Sequence, residues 1–211
     1  MPYQFGPELR ARVTERFARF ERQPIEDDTL RHASVAVVIV PSKTLSEAAV
    51  LLTKRPSNMR RHGGQFALPG GRRDEGESAT DAALRELEEE LGLTLPASAI
   101  LGMLDDYPTR SGFCITPFVI WCATDAPIVP DPIEVAKVFH IPFSELDSPD
   151  IPLLKTPEEA GGAPVLATPL PSAAATVHAP TAALLYQFRE VALRGEATRV
   201  AHFDEPAFAW R

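Results

Sequence analysis

The stretch Gly71-Arg72-Arg73-Asp74-Glu75-Gly76-Glu77-Ser78-Ala79-Thr80-Asp81-Ala82-Ala83-Leu84-Arg85-Glu86-Leu87-Glu88-Glu89-Glu90-Leu91-Gly92-Leu93 decides how this chain is read. Its second half carries the punctuation of a helix. Ser78 is a good N-cap, because its hydroxyl can accept from a first-turn N–H that has no partner within the helix. Asp81 stands three residues later, much as in a capping box, and Gly92 sits where a left-handed C-cap belongs. Ala83, Leu84, Leu87 and Leu91 form the apolar stripe. On the other side Glu86 and Glu90 are i and i+4 with Glu89 adjacent, so three carboxylates converge over one turn.

Like charges at this spacing destabilise a bare helix by about 0.2–0.5 kcal/mol per pair. A divalent cation reverses that sign, and hard oxygen ligands suit Mg²⁺ or Mn²⁺. A Glu-rich helix alone reads more simply as a solvated acidic face. The surrounding spacing decides against that: Gly71, five residues, Glu77, seven residues, Arg85-Glu86-Leu87, one residue, Glu89-Glu90, one residue, Gly92-Leu93. This resembles the Nudix box at every fixed position.

The resemblance implies a loop–helix–loop that holds divalent metal over a diphosphate, inside an α/β/α sandwich with a mixed sheet. Carried over by position, Glu86, Glu89 and Glu90 are the metal-binding and catalytic carboxylates, with the Gly70 carbonyl oxygen as a further ligand and Glu86 or Glu89 as proton acceptor. Arg85, Glu77, Gly71 and Gly92 read as structural, since a guanidinium among carboxylates fixes their rotamers and glycine permits close approach.

Charge is segregated around the box. Residues 48–73 hold six basic residues and no acidic ones, whereas 74–90 hold eight acidic residues and one basic. Within the basic block, Leu51-Leu52-Thr53-Lys54-Arg55-Pro56, then Arg60, Gly64 and Leu68-Pro69-Gly70-Gly71, looks like the motif that precedes the box in coenzyme A diphosphatases. Those enzymes cut CoA into 3′,5′-ADP and 4′-phosphopantetheine. Arg55 and Arg60 make sense as planar forks for phosphate, with Gly64 beside them; Lys54 and Arg61 read as solvent-facing. Pro56 stands where the family usually has Ser, and Leu68 where it has Phe. These departures keep NADH, ADP-ribose and oxidised nucleoside triphosphates open as substrates. An intact box argues against a non-catalytic ligand sensor, and a plain acidic interaction domain is the remaining alternative.

Working outward, Leu9, Val13, Phe17 and Phe20 recur at helical spacing and predict a packing helix over 7–22. Strands are expected at Val35–Val40, Ala48–Lys54, Ile100–Asp105, Phe113–Cys122 and Val135–Ile141. Asp105 to Phe113 links two of them, and Tyr107 or Phe113 there would stack a base or flank a pantetheine arm, core packing being the alternative. Glu134 would complete the metal set, serve as base, or form a strand-end ion pair. Residues 149–180 contain seven of the 21 prolines and predict a loop-rich insertion with short extended pieces. A closing helix is expected over 180–194, stopped by Gly195.

The 211 residues, 45% of them apolar, suit one domain spanning 1–211 with the box at 71–93. A net charge of −8 argues against nucleic acid or an anionic membrane as partner. No apolar run approaches a membrane span, and Met1-Pro2-Tyr3-Gln4 does not open a leader. Cys114 and Cys122, eight apart on one extended strand, lie beyond disulfide reach. The reading is therefore cytoplasmic, with a small nucleotide diphosphate as partner and a homodimer left open. The five histidines lack metal-ligand spacing and read as surface or core, and neither Ser57 nor Thr116 has the partners of a serine hydrolase.

Overall fold

The computed structural model describes residues 2–59, 62–123, 127–155 and 164–205. The elements follow in the order α1 (Pro7–Arg19), β1 (Arg31–Pro41), β2 (Ala48–Lys54), β3 (Phe66–Ala67), β4 (Gly70–Arg72), α2 (Ala79–Leu91), β5 (Ile100–Met103), β6 (Tyr107–Pro108), β7 (Phe113–Trp121), β8 (Lys137–Pro142), α3 (Phe143–Leu146), β9 (Leu153–Lys155), β10 (Val165–Leu170), β11 (Ala175–His178) and α4 (Thr181–Phe188). The last continues as a π-helical turn over Arg189–Arg194 and stops at Gly195 in the left-handed region.

Strands β1 to β8 form a mixed sheet. Its only parallel pair among the described residues is β1 with β7, in register from Arg31↔Phe113 to Ile39↔Trp121. The period of two along β1 then separates two cores. Ala36, Val38 and Val40 pack with Ala83, Leu87 and Leu91 of α2. Val37 and Ile39 pack on the opposite face with Leu9, Val13 and Phe17 of α1 and with Ala182, Leu185 and Phe188 of α4. Helices on both faces of a mixed sheet are the expected α/β/α sandwich.

Two expectations change, and one open alternative is decided. Helix α1 stops at Arg19, three residues early, with Phe20 already extended. Tertiary bonds draw the following chain out: Gln23 N–H donates to Asp105 at 2.7 Å, Ile25 N–H to Asp106 at 2.9 Å, and the Arg22 guanidinium pairs with Asp106. The proline-rich insertion is more ordered than its composition suggests, because β9, β10 and β11 form a separate antiparallel sheet. Val165, Leu166, Ala167 and Leu170 of β10 are buried, and that burial outweighs the break signal. The Ala160–Ala163 turn lies outside the described residues. Finally, Tyr107 belongs to the core: it is 1% exposed and its hydroxyl donates to the Phe203 carbonyl at 2.8 Å. Cys114 and Cys122 are both free and buried, and no described helix is long and apolar enough to cross a membrane.

Candidate active site

Strand β4, the C-terminal half of α2 and the turn after β2 converge at one end of the sheet. Strand β4 is two glycines and an arginine laid against β1, with Gly70 opposite Val35 and Gly71 opposite Ser34. Both glycines are required by what they touch. Gly70 has φ +145°, and a Cβ there would stand 2.3 Å from the Ser34 carbonyl oxygen and 2.6 Å from the Val35 Cα. A Cβ on Gly71 would lie 2.4 Å from Glu86 Oε1. The bare backbone therefore brings β1, β4 and the α2 carboxylates together.

Helix α2 begins and ends as its sequence indicates: the Ser78 hydroxyl accepts from Asp81 N–H, and Gly92 caps the end at φ +66°. Arg85 is the hub of its polar face. Nε and Nη2 donate to the two Glu77 oxygens at 2.8 and 3.0 Å, and Nη1 donates to Glu86 and Glu89 at 2.8 Å each. Those bonds from Arg85, helped by the Asp74 N–H, hold the Glu77 carboxyl down at about 2.

Glu86 and Glu90 are shifted the opposite way. Burial pushes Glu86 up against the pull of Arg85, with Glu89 and Glu134 adding repulsion. Glu90 is only 3% exposed, and burial pushes it up to about 8; the Gly70 N–H and the Arg55 charge oppose this, while Glu86 and Glu134 reinforce it. The Gly70 N–H donates to Glu90 Oε2 at 3.3 Å. Glu134 reaches this neighbourhood because its turn is tied to the helix, with Asp131 N–H donating to the Glu90 carbonyl at 3.0 Å and Glu134 N–H to the Asp131 carbonyl at 3.1 Å. Glu89 is the outer member, its side chain 60% exposed.

Among the described residues no three acidic, histidine or cysteine side chains already surround a common point, since Arg85 engages two of these carboxylates. The donor set nonetheless fits a hard divalent cation. Glu86 and Glu90 are desolvated side by side, an arrangement unfavourable to both until a compact positive charge is added.

Arg55 completes the site. Its backbone N–H donates to the Gln65 carbonyl and its carbonyl accepts from Gly64 N–H, so the turn holds both residues at the cleft. Its Nε is buried and has no hydrogen-bond partner among the described residues. A cationic donor left over beside a carboxylate cluster suits a phosphate oxygen. Arg60 and Arg61 lie outside the described residues. Arg55, Gly64, Gly70, Gly71 and Phe113 all line one cleft of about 570 Å³, and Arg31 covers one face of the Phe113 ring at 3.9 Å. An open depression of about 710 Å³ over Arg73–Ser78 shares Arg72 with this cleft but reaches neither Arg55 nor Gly70.

The family model for the NUDIX domain matches residues 30–167. This chain belongs to the Nudix family. It is similar to the "Uncharacterized Nudix hydrolase NudL" of Yersinia enterocolitica, 35% identical over 154 residues, covering 69% of this chain and 75% of that protein. The protein of the same name from Yersinia pestis is 34% identical over 142 residues, covering 63% of this chain and 71% of the relative. Among solved structures, a MutT/nudix family protein from Enterococcus faecalis superposes with a TM-score of 0.56 at 18% identity, covering 92% of this chain and 78% of that one; that likeness concerns the fold. The protein is a Nudix hydrolase, an enzyme of small nucleoside-diphosphate derivatives in a family that generally uses divalent cations.

Some of the Nudix site was not foreseen. His62 and His178, read as surface or core, both line the cleft, as do Thr176 to Thr181 of the insertion. No local signal marks them, because His62 is placed by the turn between β2 and β3 and His178 by the pairing of β11 with β10. Asp105 and Asp106, expected in a substrate loop, are buried ion-pair partners: Arg199 donates to Asp105 at 2.7 and 2.9 Å, and Thr116 donates to Asp106 at 2.8 Å.

Proposed function

We propose that this Nudix hydrolase cleaves the diphosphate linkage of coenzyme A or a closely related nucleoside diphosphate derivative, with Mg²⁺ or Mn²⁺ held by Glu86, Glu89, Glu90 and the Gly70 carbonyl. The observation that carries the reading is the placement of Glu90 and Glu86 against Gly70–Gly71 at the end of a cleft that also presents Arg55. A bound cation lowers the pKa of water and offsets charge developing on phosphoryl oxygens. The chain's own residues do the positioning. Arg55 aims an unpartnered N–H at the phosphates, and Arg85 fixes the rotamers of Glu86 and Glu89. The two glycines keep the backbone low enough for a diphosphate to approach. Glu86 or Glu89 takes the proton from the attacking water, Glu134 adds negative charge to the set, and Phe113 flanks the substrate from the far end.

Support for CoA in particular comes from the residues preceding the box. Leu68, one of the two departures, is 4% exposed and belongs to the core, so the missing aromatic ring alters packing more than contact with substrate. The Pro56 carbonyl still accepts from Met59 and Gly64 N–H groups, which keeps the Arg55 turn closed without the usual serine. The test is incubation with Mg²⁺ and a panel of CoA, acyl-CoA, NADH, ADP-ribose and nucleoside triphosphates, with products identified by mass. Release of 3′,5′-ADP from CoA faster than cleavage of the others is expected. Turnover of another member without CoA cleavage would replace CoA as substrate.

A further inference from the structure

One buried polar atom beside the α2 carboxylates has no role in the metal-free fold. Alternate residues of β1 face α2, and Ala36, Val38 and Val40 pack there with Ala83, Leu87 and Leu91. Ser34 continues that row. It is 0% exposed, and its hydroxyl has no hydrogen-bond partner among the described residues. A hydroxyl sealed from water and left unbonded is unfavourable, so alanine would serve the strand better unless the group acquires a partner.

Two strands flank Ser34. On β7 its neighbour is Thr116, whose hydroxyl already donates to Asp106 at 2.8 Å. On β4 it stands directly opposite Gly71, where a Cβ would fall 2.4 and 2.6 Å from the two Glu86 carboxylate oxygens. Glu86 therefore fills the space of the missing side chain. Directly opposed residues of an antiparallel pair share a face, with Cβ positions about 4.5–5.5 Å apart. The Ser34 hydroxyl and the Glu86 carboxylate are thus neighbours on the α2 face, close to hydrogen-bond range but not bonded. Arg85 is what engages Glu86 instead: its Nη1 donates to Glu86 Oε1 and to Glu89 Oε2, both at 2.8 Å, and Glu86 makes no other hydrogen bond among the described residues. A cation taken up at Glu86 competes with that guanidinium for the same oxygens. A neutral hydroxyl does not compete, because it can bond one carboxylate oxygen while the other faces the cation, as outer-shell partners of ligating carboxylates do.

We infer that Ser34 is a positioning residue for the metal site: its hydroxyl is the donor that takes Glu86 over from Arg85 when a divalent cation is bound. The inference rests on the reading that Glu86 and Glu90 hold that cation. It is tested without substrate, on the full chain, by Mn²⁺ titration followed by the electron spin resonance of the free ion and by urea unfolding in EDTA. Ser34→Ala is expected to weaken Mn²⁺ binding about tenfold, the lower end of what an outer-shell partner contributes. The same variant should unfold in EDTA at no lower urea concentration than the wild type, because the metal-free fold makes no bond to this hydroxyl. Ser34→Cys, similar in size but a weak donor, should match Ser34→Ala in affinity. A serine with a merely structural role gives the reverse pattern, lower stability in EDTA with unchanged affinity.

Wild-type Mn²⁺ affinity in both Ser34 variants, while Glu90→Gln has lost it, overturns the inference alone. So does a Ser34→Ala variant that is less stable than wild type in EDTA, since the hydroxyl would then have a partner without metal. Failure of the underlying readings shows separately. Glu90→Gln binding Mn²⁺ as tightly as the wild type removes the metal from these carboxylates, and the role of Ser34 with it. Absence of CoA cleavage in the substrate panel replaces the substrate and leaves the Mn²⁺ comparison standing as the test of Ser34.

Discussion

Replacing Glu90 by glutamine separates stability from activity, and the two are expected to move in opposite directions. The side chain is 3% exposed, and burial holds its carboxyl near 8 against an ordinary 4.5. The sign follows from proton linkage. Between about 4.5 and about 8 the unfolded chain has released this proton and the folded one has kept it, so the metal-free fold loses stability as pH rises through that window. At pH 7, about 2.5 pH units above the unfolded value at about 1.4 kcal/mol per unit, the carboxyl costs the metal-free fold about 3 kcal/mol. Glutamine has the same shape, keeps an oxygen to accept from the Gly70 N–H, and carries no such cost. Urea unfolding in EDTA at pH 7 should therefore find Glu90→Gln more stable by about 3 kcal/mol, the gap shrinking toward pH 4.5. Added Mg²⁺ should stabilise the wild type by mass action and the variant much less, and metal-dependent turnover of the variant should fall at least about a hundredfold, in line with losing a principal electrostatic group. A variant that is less stable than wild type in EDTA refutes the electrostatic account. One that keeps full metal-dependent turnover with an unchanged fold refutes the site.

Arg85→Lys removes the paired bonds to Glu77 and cannot span to Glu86 and Glu89 at once; a loss of about 1–3 kcal/mol in thermal unfolding and a lower kcat with KM nearly unchanged are expected. Arg55→Gln keeps a polar side chain without the charge; KM for the diphosphate should rise about tenfold or more, a charged hydrogen bond's worth, and the KM should lose part of its dependence on salt. Asp106→Ala leaves Arg22, Thr116 and the Ile25 N–H without their buried acceptor; chemical denaturation should register about 3 kcal/mol or more, with metal affinity by calorimetry preserved because the clamp lies away from the α2 carboxylates.

The parts of this molecule legible from its sequence are those whose signal is local. Ser78, Asp81 and Gly92 bound a helix because capping is a matter of neighbouring atoms, and α2 spans Ala79–Leu91 accordingly. The apolar runs in β1 and β2 read directly as strands because both faces are buried. The short β3 and β4 were not legible: Phe66–Ala67 and Gly70–Arg72 have no period of their own and become strands only by pairing with β2 and β1. Likewise, nothing near Phe20 announces the end of α1; the carboxylates of Asp105 and Asp106, more than 80 residues away in sequence, impose it.

The candidate site divides along the same line, and the division bears on how substrate choice is built. The box supplies Glu86, Glu89, Glu90 and Arg85 on one helix, where periodicity alone places them together. The cleft draws its lining, Phe66, Ile115, Val177 and Arg55 included, from four separate segments. Catalytic groups on a single turn keep their mutual geometry when the rest of the chain changes. The β11 segment can change without disturbing them, since Val177 and Ala179 pack on the sheet face opposite α2. The −8 total charge hides the same separation, because an acidic helix and the basic block before it lie next to each other and largely cancel in the sum.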